Sequence, residues 1–110
     1  MGANLLELAR EVLTIEAEGL AHLSKKLDKN FLKAVELIYR AKGRVIVTGV
    51  GKSGIVARKI VATLNSTGTR ALFLHPVEAM HGDLGMVSRD DVVVALSNSG
   101  ETQELTILLP

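Results

Sequence analysis

The strongest constraint on the fold is a short apolar run followed by a change of period. Residues 44–48, Arg-Val-Ile-Val-Thr, are β-branched after the arginine and do not alternate between apolar and polar, as expected of a strand buried on both faces. From Ser53 to Ser66 the apolar residues Ile55, Val56, Ile60, Val61 and Leu64 then recur at helical spacing, and Gly68 closes the segment. Gly54 and Ala57 are small enough to let this helix lie close to the strand before it. Residues 71–74 read as the next strand and residues 92–96 as a third. Residues 75–86 form a long connection between them with a short helix of its own, and a helix is expected from residue 103 onward. Strand, helix, strand, short helix, strand, helix is a parallel α/β order.

Two helices precede the first strand. Leu5, Leu8, Val12, Ile15, Leu20, Leu23 and Leu27 lie mostly three or four apart with charged residues between them, the pattern of an amphipathic helix. A helix of that length, about 35 Å at 1.5 Å per residue, exceeds what one sheet face needs. It is open to packing on another subunit or on its own domain. Asp28 or Asn30 can cap a second helix, with Phe31, Ala34, Val35, Leu37, Ile38 and Ala41 as its apolar positions and Lys42-Gly43 as its stop. Residues 1–43 are therefore expected to form a helical arm and residues 44–110 a partial α/β domain.

Composition narrows the classes of function. With 47 % hydrophobic and 23 % charged residues, the chain falls among soluble globular proteins. A formal charge of +1 gives no field that favours nucleic acid. The chain has no cysteine, hence no disulfide and no thiolate metal site, which fits a reducing compartment, and the cytoplasm is the expected location. No export signal, lipidation signal or apolar stretch approaching about 20 residues is present, so no membrane partner is expected.

Chemistry concentrates in two polar loops that follow strands. Ser97-Asn98-Ser99-Gly100-Glu101-Thr102 places three hydroxyls and a glycine where a strand hands over to a helix. A helix start leaves backbone N–H groups unpaired at the positive end of its dipole, so Ser and Thr there can join those amides around a phosphate. The same residues also make an ordinary N-cap. The second loop, Thr48-Gly49-Val50-Gly51-Lys52-Ser53-Gly54, favours the phosphate cradle, because in an open parallel sheet such loops meet at the carboxyl ends of the strands.

The second loop has two familiar look-alikes. Residues 49–54 fit G-x-G-x-x-G, yet the second strand ends in Leu74-His75-Pro76, without the acid that a dinucleotide ribose requires. Gly51-Lys52-Ser53 evokes a nucleotide triphosphatase, but the glycine needed five residues earlier is Ile46. A lysine and a serine beside a tight turn remain, suited to a single phosphate or a developing oxyanion. His75 and His81 stand near Glu78 and Asp83, but two imidazoles without a third fixed ligand are a weak metal signal. No cofactor is expected, and a divalent metal at this pair would be adventitious or inhibitory.

Gly-Val-Gly-Lys-Ser-Gly, His-Pro-Val-Glu-Ala-Met-His-Gly-Asp-Leu-Gly-Met and Ser-Asn-Ser-Gly-Glu-Thr, in this order and spacing, resemble the sugar isomerase (SIS) domain. More narrowly they resemble the arabinose-5-phosphate isomerases of the pathway to the lipopolysaccharide sugar Kdo. The resemblance runs from about Val45 to the last residue, and its specific part is the segment from His75 to Met86. It implies a flavodoxin-like three-layer sandwich with a parallel sheet, a following pair of CBS domains and a tetrameric assembly. The implied reaction interconverts D-ribulose 5-phosphate and D-arabinose 5-phosphate through a cis-enediol. That chemistry needs a base to move a proton, a cation or donor for the oxyanion and an acid for ring opening.

By the same resemblance, Lys52 matches the lysine that steadies the enediolate, Glu104 a carboxylate proposed for proton transfer, and His81 a motif histidine near the site. Gly51, Ser53, His75, Ser97, Asn98, Ser99, Gly100 and Thr102 are the expected substrate and phosphate contacts. Glu104 alternatively stabilises a helix dipole, as carboxylates at helix starts do. The resemblance also implies that the remaining strands and further catalytic groups lie beyond Pro110, so the chain is expected to be a fragment with a partial site. A non-catalytic phosphosugar sensor is the alternative. Lys52 and the histidine segment favour the enzyme, because a sensor needs neither.

Overall fold

The computed structural model describes residues 2–80 and 82–98, and it divides into two units, Met1–Val35 and Glu36–Pro110. The first unit holds α1 (Gly2–Lys26), a 25-residue helix in which no residue is buried. Its apolar residues fall at the expected positions, and Lys25 and Lys26 occupy its last turn, where cations complement the helix dipole. α2 (Lys29–Arg40) follows after two residues. Asp28 caps it: the Asp28 Oδ1 accepts from the Asn30 N–H at 2.9 Å, and its carbonyl accepts from the Phe31 N–H at 3.1 Å.

The second unit is built on a parallel sheet of β1 (Val45–Gly49), β2 (Ala71–Phe73) and β3 (Val92–Leu96), in the order β2-β1-β3. β1 is central, with Val45 opposite Ala71 on one side and Val92 on the other. All five of its residues are buried. That burial is the physical reason its sequence lacks alternation: each face of β1 packs on its own layer.

On one face, Val45 and Val47 meet Ala57 of α3 (Lys52–Ser66), with Ile60, Val61, Leu64, Ala71, Phe73 and Val94 around them. On the other, Ile46 meets Leu74 and Ala79, with Leu72 and Val87 beside them. Ala79 belongs to α4 (Pro76–Met80), the short helix of the long connection, which also carries the 3₁₀ turn Asp83–Met86. The layers are helix, sheet and helix.

α3 lies against β1 at backbone distance. A Cβ on Gly54 would stand 2.7 Å from the Gly49 carbonyl oxygen, and one on Gly49 would stand 2.8 Å from the Ser53 carbonyl carbon. Only glycine fits at either end of that contact. α3 ends in a Schellman motif, in which the Thr69 N–H reaches the Leu64 carbonyl at 2.9 Å and Gly68 takes φ 95°.

The amino ends of the strands are tied by one carboxylate. Asp91 accepts from the Arg44 N–H at 2.6 Å through Oδ1 and from the Ser88 N–H at 2.9 Å through Oδ2. The Arg44 guanidinium stands 3.7 Å from Asp91 Oδ2 and donates to the Met86 carbonyl at 2.8 Å. The end of the 3₁₀ turn is thereby fastened to the start of β1.

The sequence reading places all three strands and the intervening helix within a residue or two of these bounds. Two differences have physical causes. β1 extends to Gly49, which pairs with Leu96, and β2 stops at Phe73 although the Leu74 N–H still donates to the Val47 carbonyl at 2.9 Å. The expected helix from residue 103 onward lies outside the described residues.

Candidate functional site

The strand order reverses at β1, since β2 lies on one side and β3 on the other, and ligands of open parallel sheets bind outside the carboxyl ends at such a point. Gly49 pairs with Leu96, so the loops beginning at Val50 and Ser97 leave neighbouring strands at the same level. Adjacent strands stand about 4.8 Å apart. The two polar loops therefore begin side by side.

The loop after β1 opens α3 without a side-chain cap. Gly51 is its N-cap residue with φ 61° and ψ −126°, a conformation that L side chains rarely adopt, and its carbonyl accepts the first helical bond, from the Ile55 N–H at 3.2 Å. A helix's first N–H groups have no partner within the helix, so the amides of Lys52, Ser53 and Gly54 face outward at the positive end of a 15-residue helix. Lys52 is exposed and Ser53 half-buried. On the other loop Ser97 is half-buried and Asn98 exposed. Backbone donors, two serine hydroxyls and an exposed lysine thus lie on the loops that leave β1 and β3, a set of groups that suits a tetrahedral oxyanion.

Among the expected site residues, the fold brings Gly51, Lys52 and Ser53 to the same strand ends as Ser97 and Asn98. His75 follows the neighbouring strand at the same carboxyl edge. That strand, β2, lies on the far side of β1 from Ser97. His81, Ser99, Gly100, Thr102 and Glu104 lie outside the described residues. Among the described residues no group of three or more His, Cys, Asp and Glu side chains could hold a metal ion, and the pairing of His75 with His81 involves a residue outside that set.

The fold also gathers residues that the sequence did not single out. Arg58, Phe73, His75, Glu78 and Met86 line a cavity of about 470 Å³ beside β2, with Leu72 and Leu74. Arg58 lies 4.2 Å above the centroid of the Phe73 ring, and His75 meets the same ring edge-on at 6.3 Å. Arg58 is six residues past Lys52 on α3, and its pairing with Phe73 depends on the packing of α3 over β2, which local periodicity does not encode. Thr48, at the carboxyl end of β1, is 2 % exposed and its Oγ1 has no hydrogen-bond partner among the described residues. Such a group costs free energy in a sheet core.

The chain is similar to known proteins both in sequence and in fold. The model of the SIS domain matches residues 37–110. Arabinose 5-phosphate isomerase KdsD of Escherichia coli strain K12 is 51 % identical over 109 residues, which is 99 % of this chain and 33 % of that protein. KdsD of Pseudomonas aeruginosa is 50 % identical over 112 residues, covering 100 % of this chain and 34 % of that one. The chain spans about a third of the length of the curated relatives it matches.

Among solved structures, E. coli CFT073 c3406 in complex with arabinose 5-phosphate superposes with a TM-score of 0.92 at 42 % identity, over 100 % of this chain and 58 % of that one. A Bacteroides fragilis protein involved in capsule formation gives 0.85 at 42 % identity, over 94 % of this chain and 55 % of that one. The parallel sheet flanked by helices, with a helix leading into it, is the SIS fold. By the family match across residues 37–110 and the agreement of the sheet with these structures, the chain belongs to the SIS domain family.

Proposed function

We propose that this protein is a phosphosugar isomerase that interconverts D-ribulose 5-phosphate and D-arabinose 5-phosphate, a step toward Kdo and lipopolysaccharide. The observation that supports this reading is that Lys52 lies at an uncapped helix start, on a loop whose strand is paired with the strand that ends before Ser97, where the strand order reverses. The names of the KdsD relatives and the arabinose 5-phosphate complex of c3406 support the choice of sugar.

In this reading the α3 amides, Ser53, Ser97, Asn98, Ser99, Gly100 and Thr102 hold the phosphate, and Gly51 lets the backbone turn close beneath it. Anchoring the phosphate leaves the open-chain sugar to lie along the strand ends toward Lys52. Proton removal at the carbon beside the carbonyl places negative charge on the carbonyl oxygen, and the Lys52 ammonium stabilises the resulting enediolate. Glu104 moves the proton between the two carbons, and His81 serves the same site as a polar partner. A base that takes the proton from one carbon and returns it to the next needs no cofactor. Residues 1–43 form an arm ahead of the SIS portion at 44–110, and the apolar stripe of α1 suits assembly into a homo-oligomer. The substrate is a small soluble sugar phosphate, and the cytoplasm is the location this reading assigns.

The test is isomerisation of D-arabinose 5-phosphate by the protein and its Lys52→Ala variant. Loss of a group that stabilises developing charge lowers kcat by about 10²–10³-fold. Binding of the sugar phosphate stays within a few fold. A Lys52→Ala protein that turns over at the wild-type rate overturns the assignment.

A further inference from the structure

The cavity beside β2 contains three ionisable side chains that leave one another unpaired. Arg58 and Glu78 both line it, yet among the described residues the one ion pair is Arg44 with Asp91, at the opposite end of the strands. Arg58 makes its contact with the Phe73 ring at 4.2 Å, an interaction of charge with the ring face that commits no particular N–H donor. The planar guanidinium thus keeps its edge for an oxyanion, the group its fork of donors fits best.

His75 is held in one orientation. Its Nδ1 accepts from the Val77 N–H at 3.1 Å, so the proton of the neutral ring sits on Nε2. The edge contact with Phe73 at 6.3 Å, with the rings 71° apart, fixes the ring plane. The lining therefore includes donors in Arg58 and His75 and an acceptor in Glu78. Leu72, Leu74 and Met86 supply apolar wall. At about 470 Å³ the space lies within the roughly 300–1,000 Å³ range of small-molecule sites.

We propose that Arg58, His75 and Glu78 form a second ligand site, for a small hydroxylated oxyanion such as a hydroxycarboxylate or a phosphomonoester. The oxyanion is held by Arg58 and His75, and a hydroxyl donates to Glu78. A cation and a carboxylate that share a cavity without pairing are complementary to a ligand that bears an acceptor at one end and a donor at the other. The site also has a place from which to act. His75 lies near the start of the connection between β2 and β3 and Met86 ends its 3₁₀ turn, so a bound ligand touches that connection at two places. The binding proposed here does not depend on isomerase activity.

The test is calorimetric titration with D-gluconate and, separately, with glycerol 3-phosphate, into the wild type and the Arg58→Gln, Glu78→Gln and Ser97→Ala variants. Gluconate binding is expected to weaken at least tenfold in Arg58→Gln and about threefold in Glu78→Gln, and to stay within twofold in Ser97→Ala. Glycerol 3-phosphate is expected to show two binding events in the wild type and one in Arg58→Gln. Gluconate bound without the second glycerol 3-phosphate event restricts the ligand to carboxylates, still at this site. Should Arg58→Gln lower the melting temperature, the exposed Glu78 decides through its own variant. Absence of gluconate binding, equal binding by Arg58→Gln and Glu78→Gln, or loss of binding in Ser97→Ala overturns the proposal.

Discussion

β1 and α1 are both marked by apolar residues, and they end in opposite situations. Every residue of the five-residue strand is buried, whereas none of the 25 residues of the helix is. Leu8 is 56 % exposed and Ile46 is 1 % exposed. The strand sits between two layers made by its own neighbours in sequence, α3 on one face and α4 on the other. The helix presents its stripe with no buried position on it. An apolar pattern states which face wants covering, and only the rest of the fold states what covers it.

Truncation in the strand should be the costliest change. Ile46→Ala is expected to destabilise the protein by about 2–5 kcal/mol, because it removes a fully buried side chain between Leu74 and Ala79. Denaturant unfolding followed by circular dichroism measures it. Next comes the contact between β1 and α3, where Gly54→Ala puts a methyl against the Gly49 carbonyl. Its expected cost is about 1–3 kcal/mol, since backbone rather than a flexible side chain must yield.

Asp91 gives a pH-dependent version of the same contrast. The N–H bonds from Ser88 and then Arg44, aided by the Arg44 charge, hold its carboxyl below the ordinary value of 3.8. A folded pKa below the unfolded one adds stability that is complete above the unfolded value and is lost as the pH falls through the folded value. Melting temperatures should therefore drop below about pH 4, and Asp91→Asn should lower the neutral-pH melting temperature and flatten that acid limb. Unchanged acid behaviour in Asp91→Asn would remove the clamp from the account. At the small end, Leu8→Ala on α1 is expected to shift chain stability by less than about 0.5 kcal/mol, as at other exposed sites. A loss comparable to that of Ile46→Ala would show that the stripe is covered in solution.

Much of this architecture was legible in the residues. The unalternating run of β1, the helical spacing of α3 and the Asp28 cap each announce a local preference that the fold keeps. The loops at Gly51 and Ser97 stood out because glycine and hydroxyls follow a strand in both, and the fold starts the two loops on neighbouring strands. What the sequence could not display was lateral placement. That His75 stands across β1 from Ser97, or that Arg58 covers Phe73, follows from the order β2-β1-β3 and the packing of α3, neither of which has a local signature. The clamp at Asp91 escaped for the same reason, because its partners, Arg44 and Ser88, are joined only once β3 lies beside β1. The expected roles of His81 and Glu104 rest on the resemblance alone, since both lie outside the described residues.

The central claim is that the ends of β1 and β3 together hold the phosphate of a sugar phosphate. Calorimetric titration with D-arabinose 5-phosphate and with unphosphorylated D-arabinose, in the wild type and in Ser53→Ala and Ser97→Ala, tests it most directly. The account expects binding that requires the phosphate and weakens about tenfold in each variant, a loss of about 1.4 kcal/mol per hydroxyl. Equal affinity for the two sugars, or variants that bind as tightly as the wild type, would contradict it.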